Sequence, residues 1–186
     1  ILQSLKSNDE SEHLAAITVL GEKGTSSIPH LAKELFSEKP VFLHHAAQAL
    51  GKTHSSEAEA TLDKEAGRLI GEARQHLTSA TEKDQLDWLG LFAMLGKRAV
   101  AAVPDISRFV TLPKTRDSAA EALYRIGSPD ALKIFRETAL PAMKNAIQKQ
   151  RMVGPLWTLR RLKPPIPEVV AVLRELLTGS DSARKE

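Results

Sequence analysis

Apolar residues recur every three or four positions through most of the chain, which is the spacing of one face of an α-helix. The first clear stripe joins Leu14, Ile17 and Leu20 in a predicted helix over residues 10–20. Further stripes cover residues 28–36, 41–50, 58–77, 82–96, 99–110, 117–126 and 129–138. No run alternates apolar and polar residues between hairpin turns, so the pattern predicts helices and no strands.

A short phrase recurs along these predicted helices. One or two alanines are followed by Leu-Gly or Ile-Gly, and the phrase ends at Gly21, Gly51, Gly96 and Gly127. These glycines lie 30, 45 and 31 residues apart. A unit that repeats at this spacing is typical of a helical solenoid, in which each unit packs on its neighbours.

The repeat divides the chain into five units of about two helices each. Their approximate limits are 9–39, 40–79, 82–112, 116–140 and 142–178. We expect Gly21 and Gly24 to end the first helix, because glycine readily adopts the left-handed cap conformation. Serines preceding several predicted helices can cap them, namely Ser26 or Ser27, Ser55 or Ser56, and Ser128.

The fifth unit is less regular than the others because it is rich in proline. Five prolines divide it, namely Pro141, Pro155, Pro164, Pro165 and Pro167. A helix over residues 143–162 should break or kink at Gly154-Pro155. Its spacing places Trp157 with three leucines in the core, namely Leu156, Leu159 and Leu162.

The repeated phrase resembles HEAT repeats, and more narrowly the short bacterial type known as PBS-lyase HEAT-like repeats. Gly21, Gly24, Ile28, Pro29 and Leu31 match the family pattern closely, and a second match is formed by Gly96, Val103, Pro104 and Ile106. The resemblance implies an all-α, right-handed α-α superhelix (a HEAT-like solenoid) of about five helix pairs.

The resemblance also implies a concave face lined by the second helix of each unit. That face would carry charges of both signs, from Lys33, Asp105, Arg108, Lys133, Arg136, Arg174 and Glu175. Mixed signs favour a protein or peptide over a polyanion as the partner. Residues 1–6 resemble the close of another unit and residues 180–184 the opening of one. The chain is therefore either a segment of a longer array or a domain with disordered tails.

Composition excludes some chemistry and leaves other properties open. The absence of cysteine excludes disulfides, thiolate catalysis and cysteine zinc sites. No apolar run approaches the roughly 18 residues that a membrane span needs. A net charge of +3 does not favour any class of partner, and no feature of the sequence indicates the cellular compartment. We expect a monomer.

No motif for catalysis, a cofactor or a metal emerges from the residue types. Gly51-Lys52-Thr53 matches only the last part of the phosphate-binding P-loop motif. The motif also requires a glycine five positions before Gly51, where this chain has Ala46. None of the six histidines is followed by glutamate, as a HEAT-like di-iron hydroxylase would require. We interpret the histidines and carboxylates as side chains on solvated faces of the helices. We therefore expect no enzyme, no cofactor and no metal.

One segment stands out by charge, because residues 138–167 contain no Asp or Glu. Its cations are Lys144, Lys149, Arg151, Arg160, Arg161 and Lys163, with Trp157 among them. They form either a solvated face that a protein partner could use or a site for nucleic acid phosphates. The preferred function is a non-enzymatic protein-protein interaction scaffold. The alternatives are a nucleic-acid-binding protein using residues 144–163 and, on the family name alone, a bilin-lyase-like enzyme.

Overall fold

The computed structural model describes residues 1–78 and 80–182, with side chains as far as Leu177. Within these ranges the chain is built of α-helices joined by short turns and contains no strand, which confirms the prediction of an all-α protein. The helices are α1 (Glu10–Glu22), α2 (Ile28–Glu34), α3 (Pro40–Lys52), α4 (Ser56–His76), α5 (Glu82–Leu95), α6 (Val103–Ser107), α7 (Arg116–Ile126), α8 (Pro129–Ile134), α9 (Leu140–Gln150), α10 (Gly154–Arg161) and α11 (Pro167–Ser182).

Two parts of the predicted repeat scheme lie outside the described residues. They are residue 79, the last of the predicted second unit, and residues 183 and 184 in the predicted opening of a further unit.

Serine side chains cap the starts of two helices, as the sequence predicts. Ser55 accepts a hydrogen bond from the Ala58 amide at the start of α4, and Ser128 accepts one from the Ala131 amide at α8. The prediction for α2 was wrong. The Ser27 hydroxyl donates to the Gly24 carbonyl at 2.6 Å, within a 3-10 turn that leads directly into the helix.

Four helices form a row in which α1 packs on α3, α3 on α5 and α5 on α7. Helices α2, α4 and α6 pack beside this row, each against the row helices nearest to it in the chain. Beyond α7, the contacts continue to α8, α9 and α10, and α11 then packs on α9 and α10. Each of these contacts joins helices that are close in chain order, and one apolar cluster runs from Ile17 to Val169.

Gly21 has a different role from the predicted one. It lies inside α1, and its backbone is not left-handed. A Cβ added to it would stand 3.0 Å from the Ala49 Cβ and 3.1 Å from the Ala49 Cα of α3. Gly21 therefore permits close packing of two row helices. The left-handed conformation belongs to Gly24, with a φ of 72°.

The region around Pro141 departs from the prediction of a helix end. Residues 129–150 form one helical run, because a π-helical turn at Phe135–Ala139 joins α8 to α9. In that turn the Leu140 amide donates to the Phe135 carbonyl, five residues back. Such a widened turn accommodates proline, which lacks an amide hydrogen and crowds an ordinary helix. The predicted unit boundary at 140–142 lies inside this run.

The expected break in the fifth unit occurs three residues before Gly154-Pro155. Helix α9 ends at Gln150, Arg151 follows it with a φ of 53°, and α10 begins at Gly154. The break lies over a partly buried ion pair, because Arg116 donates to Asp117 at 3.1 Å and lies 3.7 Å from the Met152 Sδ. Burial raises the pKa of Asp117, although hydrogen bonding and charge from Arg116 act in the opposite direction.

Replacing Gly21 with alanine should destabilise the fold, whereas the same change at Gly51 should not. The Gly21→Ala methyl group meets the α3 backbone, and such overpacking costs about 1–3 kcal/mol. Gly51 lies within α3 with nothing within 4 Å of an added Cβ, so alanine there should stabilise the helix by up to about 1 kcal/mol. Urea denaturation of both variants measures the difference. Equal free energies of unfolding would contradict the packing role.

Candidate functional site

A groove of about 400 Å³ crosses three consecutive helices of the row. We call it the central groove. Polar and charged residues dominate its lining, which consists of His44 and Gln48 from α3, Leu86, Asp87, Gly90, Ala93 and Met94 from α5, Ser118, Glu121 and Arg125 from α7, and Arg161 from α10. Because its walls belong to successive helices, the row itself shapes this groove.

The side chain of His44 packs against α5 at Gly90. A Cβ added to Gly90 would stand 2.5 Å from the His44 Cε1 and 2.9 Å from its Nδ1. The same Nδ1 is buried, lies 3.6 Å from the Asp87 Oδ1, and has no hydrogen-bond partner among the described residues. The histidine is thus held beside a carboxylate without a direct hydrogen bond to it.

Glu121 organises the other end of the central groove. Its carboxylate accepts a hydrogen bond from Arg125 at 3.0 Å on the same helix and one from Arg161 at 2.6 Å. The Arg161 side chain crosses from α10 to α7 and remains 65% exposed, whereas the Glu121 side chain is only 15% exposed. Two guanidinium groups on one carboxylate leave donor capacity free for an incoming acceptor.

The central groove can therefore bind a ligand that carries both donors and acceptors. It presents carboxylates at Asp87 and Glu121, guanidinium groups at Arg125 and Arg161, and an imidazole at His44. Within the described ranges, no cluster of three or more His, Asp or Glu side chains is arranged to hold a metal ion. The arrangement is one for recognition by hydrogen bonds and charge.

The interpretation of histidines and carboxylates as solvated faces was wrong for several of them. His13 is buried, donates to Glu34 at 2.7 Å, and stacks on Phe42 with ring centroids 4.0 Å apart. This pair ties α1 to α2 and α3. The residue types alone could not reveal it, because Glu34 lies 21 residues away from His13.

Charges expected on a concave face form ion pairs between neighbouring helices. Arg74 of α4 donates to Asp105 of α6 at 2.5 Å, and Arg136 lies 2.9 Å from Glu168 of α11. These residues connect one helix to the next. The mixed signs at these positions are therefore explained by ion pairs within the chain.

The six basic residues predicted as one patch have different partners and surroundings in the fold. Lys144 of α9 donates to Glu175 of α11 at 2.7 Å, while Arg161 faces Glu121 in the central groove. Lys149 is exposed near the end of α9, and Arg151 is exposed in the left-handed turn that follows.

The remaining two basic residues, Arg160 and Lys163, line a second groove of about 400 Å³. We call it the α10–α11 groove. Its lining consists of Leu159, Arg160, Leu162, Lys163 and Pro165, together with Val170, Leu173, Arg174 and Leu177 of α11. Sequence reasoning missed this groove, because its apolar residues continue the stripes that predict core positions.

The prediction that Trp157 joins the core was wrong. Its side chain is 57% exposed, and the Arg160 guanidinium carbon lies 5.4 Å from its ring centroid. Leu156 is also exposed, whereas Leu159 and Leu162 are buried as predicted. Helix α10 is only eight residues long, so its few buried positions are taken by Pro155, Thr158 and Leu159.

Comparisons with protein-family models and with curated proteins found no relative of this chain. No protein-family model matches the chain, and no curated protein resembles it in sequence at a significant level. Along residues 1–78 and 80–182, no helix combines the length and the apolar character needed to cross a membrane. Function is therefore inferred from the grooves themselves.

Replacing Gly90 with alanine should move His44 without unfolding the protein. The new methyl group would overlap the imidazole, and the ring can swing outward because it is only partly buried. We expect a clear change in the His44 Cε1–H resonance and a stability within about 1 kcal/mol of the parent protein. Gly71→Ala is the matched control, since nothing lies within 4 Å of its added Cβ. An unchanged His44 resonance in Gly90→Ala would contradict the described packing.

Proposed function

We propose that this chain is a right-handed, HEAT-like helical solenoid that serves as a non-enzymatic scaffold for protein-protein interaction. The contacts between helices close in chain order support the solenoid. So does the accessible surface of 10427 Å², which exceeds the roughly 8,800 Å² typical of a compact protein of 20.3 kDa. Stacked repeats leave more surface exposed than a closed bundle does.

The central groove carries the proposed binding function. It extends over α3, α5 and α7 and offers both charge signs together with an amide at Gln48. A peptide backbone carries donors and acceptors in alternation, and its side chains supply either charge. A polyanion would meet the carboxylates of Asp87 and Glu121, which line the same surface as the arginines. This groove therefore favours a protein segment.

Nucleic acid binding by residues 144–163 is the second candidate. It draws on the exposed cations Lys149, Arg151, Arg160 and Lys163, while Lys144 and Arg161 already pair with carboxylates. Phosphate binding gains affinity from each lysine or arginine that displaces counterions. With Lys144 and Arg161 already paired, the set supports fewer such contacts than the sequence suggested.

An elongated shape in solution is the first test of the proposed solenoid. A compact chain of 186 residues has a radius of gyration of about 16 Å. We expect small-angle X-ray scattering to give a clearly larger value and an asymmetric distance distribution, at a mass corresponding to one chain. A radius at the compact value would contradict stacked repeats.

The binding role of the central groove can be tested with selected peptides. Peptides chosen from a random display library on the parent protein should lose at least tenfold in affinity on Arg161→Ala, which removes an exposed donor of the groove. Lys97→Ala, an exposed cation outside the groove, is the matched control. Isothermal calorimetry measures both.

Nucleic acid supplies the contrasting outcome. Fluorescence anisotropy with a 20-nucleotide oligonucleotide, in single- and double-stranded form, should show little binding at about 0.15 M salt. Micromolar binding whose logarithm falls steeply with the logarithm of salt would favour the second candidate. Peptides that bind Arg161→Ala as well as the parent protein would argue against the central groove.

A further inference from the structure

The α10–α11 groove combines an apolar floor with a cationic rim. Leu159 and Leu162 form one side of the floor and are almost fully buried. Leu173 is partly buried on the other side, where Val170 and Leu177 are 39% and 73% exposed. Apolar surface left open between two helices is suited to receive the apolar side chains of another segment.

The rim of this groove is positive because Glu168 and Glu175 of α11 pair with residues outside it. Glu168 pairs with Arg136, and Glu175 pairs with Lys144 of α9. Arg160, Lys163 and Arg174 line the groove, and none of its described lining residues is a carboxylate. The central groove differs in this respect, since it has acidic and basic residues on the same walls.

An exposed aromatic ring extends this surface. Trp157 lies one helical turn before Arg160, whose guanidinium group is held over the indole. Tryptophan and arginine are enriched among the residues that dominate binding energy in protein interfaces. The stacked pair also keeps the Arg160 charge beside the apolar floor, where a carboxylate of a partner could reach it.

We propose that the α10–α11 groove binds an acidic amphipathic helix of a partner protein. Its apolar side chains would occupy the floor in the manner of a helix in a groove, and its Asp and Glu side chains would face Arg160 and Lys163. The floor argues against nucleic acid, because phosphates gain nothing from leucine and valine. This inference rests on the proposed protein-binding function but concerns a separate groove, which shares no lining residue with the central groove.

A pair of synthetic peptides provides the test. The first is an amphipathic helix of about 15 residues with leucines at positions i, i+3, i+4 and i+7 and glutamates on both flanks. The second has lysine in place of every glutamate. Calorimetry on the full chain should show the acidic peptide binding at least tenfold more tightly than the basic one.

Tryptophan emission gives an independent readout. Trp88 is only 3% exposed, so a change in emission on peptide binding reports chiefly on Trp157. We expect the acidic peptide to shift the emission to shorter wavelength, and the shift to disappear in Trp157→Phe. A shift that persists in Trp157→Phe would place the bound peptide elsewhere and overturn the proposal.

Charge-reversal variants test whether the cationic rim of the groove binds the acidic peptide. Arg160→Glu/Lys163→Glu should weaken binding of the acidic peptide at least tenfold and strengthen binding of the basic one. Lys64→Glu/Lys97→Glu changes the net charge equally at two exposed lysines outside the groove, and should have little effect. Val170→Ser removes part of the floor and should weaken both peptides.

Several results would overturn the proposal. They are equal affinity for the two peptides, no binding of either, equal effects of the two charge reversals, and competition by an oligonucleotide. Self-association of the parent protein that disappears in Arg160→Glu/Lys163→Glu would instead assign the groove to a second copy. Loss of acidic peptide binding in Arg161→Ala, with Arg160→Glu/Lys163→Glu unaffected, would leave the proposed function standing and refute this inference alone.

Discussion

The close approach of consecutive row helices is the constraint on which the rest of the structure depends. Gly21 and Ala49 bring α1 and α3 together with almost no side chain between them. Buried alanines at positions 46, 47, 119 and 120 leave similarly little bulk on α3 and α7. Because protein interiors are packed to crystal-like density, a larger residue at these points would displace a whole helix. The spacing of the row then sets the width of the central groove.

Charge pairing between helices is the second organising feature. Arg74 with Asp105, Lys144 with Glu175 and Arg161 with Glu121 each join residues at least 31 positions apart. Exposed pairs of this kind contribute little free energy individually. Their larger effect is on the surface charge that a partner meets, because a charge paired within the chain is less available to bind a partner.

The two grooves illustrate that effect. In the central groove acids and bases remain together, which suits a partner with donors and acceptors of its own. In the α10–α11 groove, Glu168 and Glu175 of α11 pair with Arg136 and Lys144 outside the groove, and an apolar floor lies under a positive rim. One chain thus presents two chemically distinct surfaces. Arg160 and Arg161, adjacent on α10, line different grooves because consecutive side chains of a helix project about 100° apart.

The sequence by itself determined the helices and many of their starts, because periodicity and capping depend on residues within a few positions of each other. The long helix α4 and the Ser55 and Ser128 caps are examples. Only the tertiary structure decided the packing role of Gly21, the burial of His13, the continuous run through Pro141 and the exposure of Trp157. Each of these depends on which distant residue lies alongside, and local spacing carries no record of that partner.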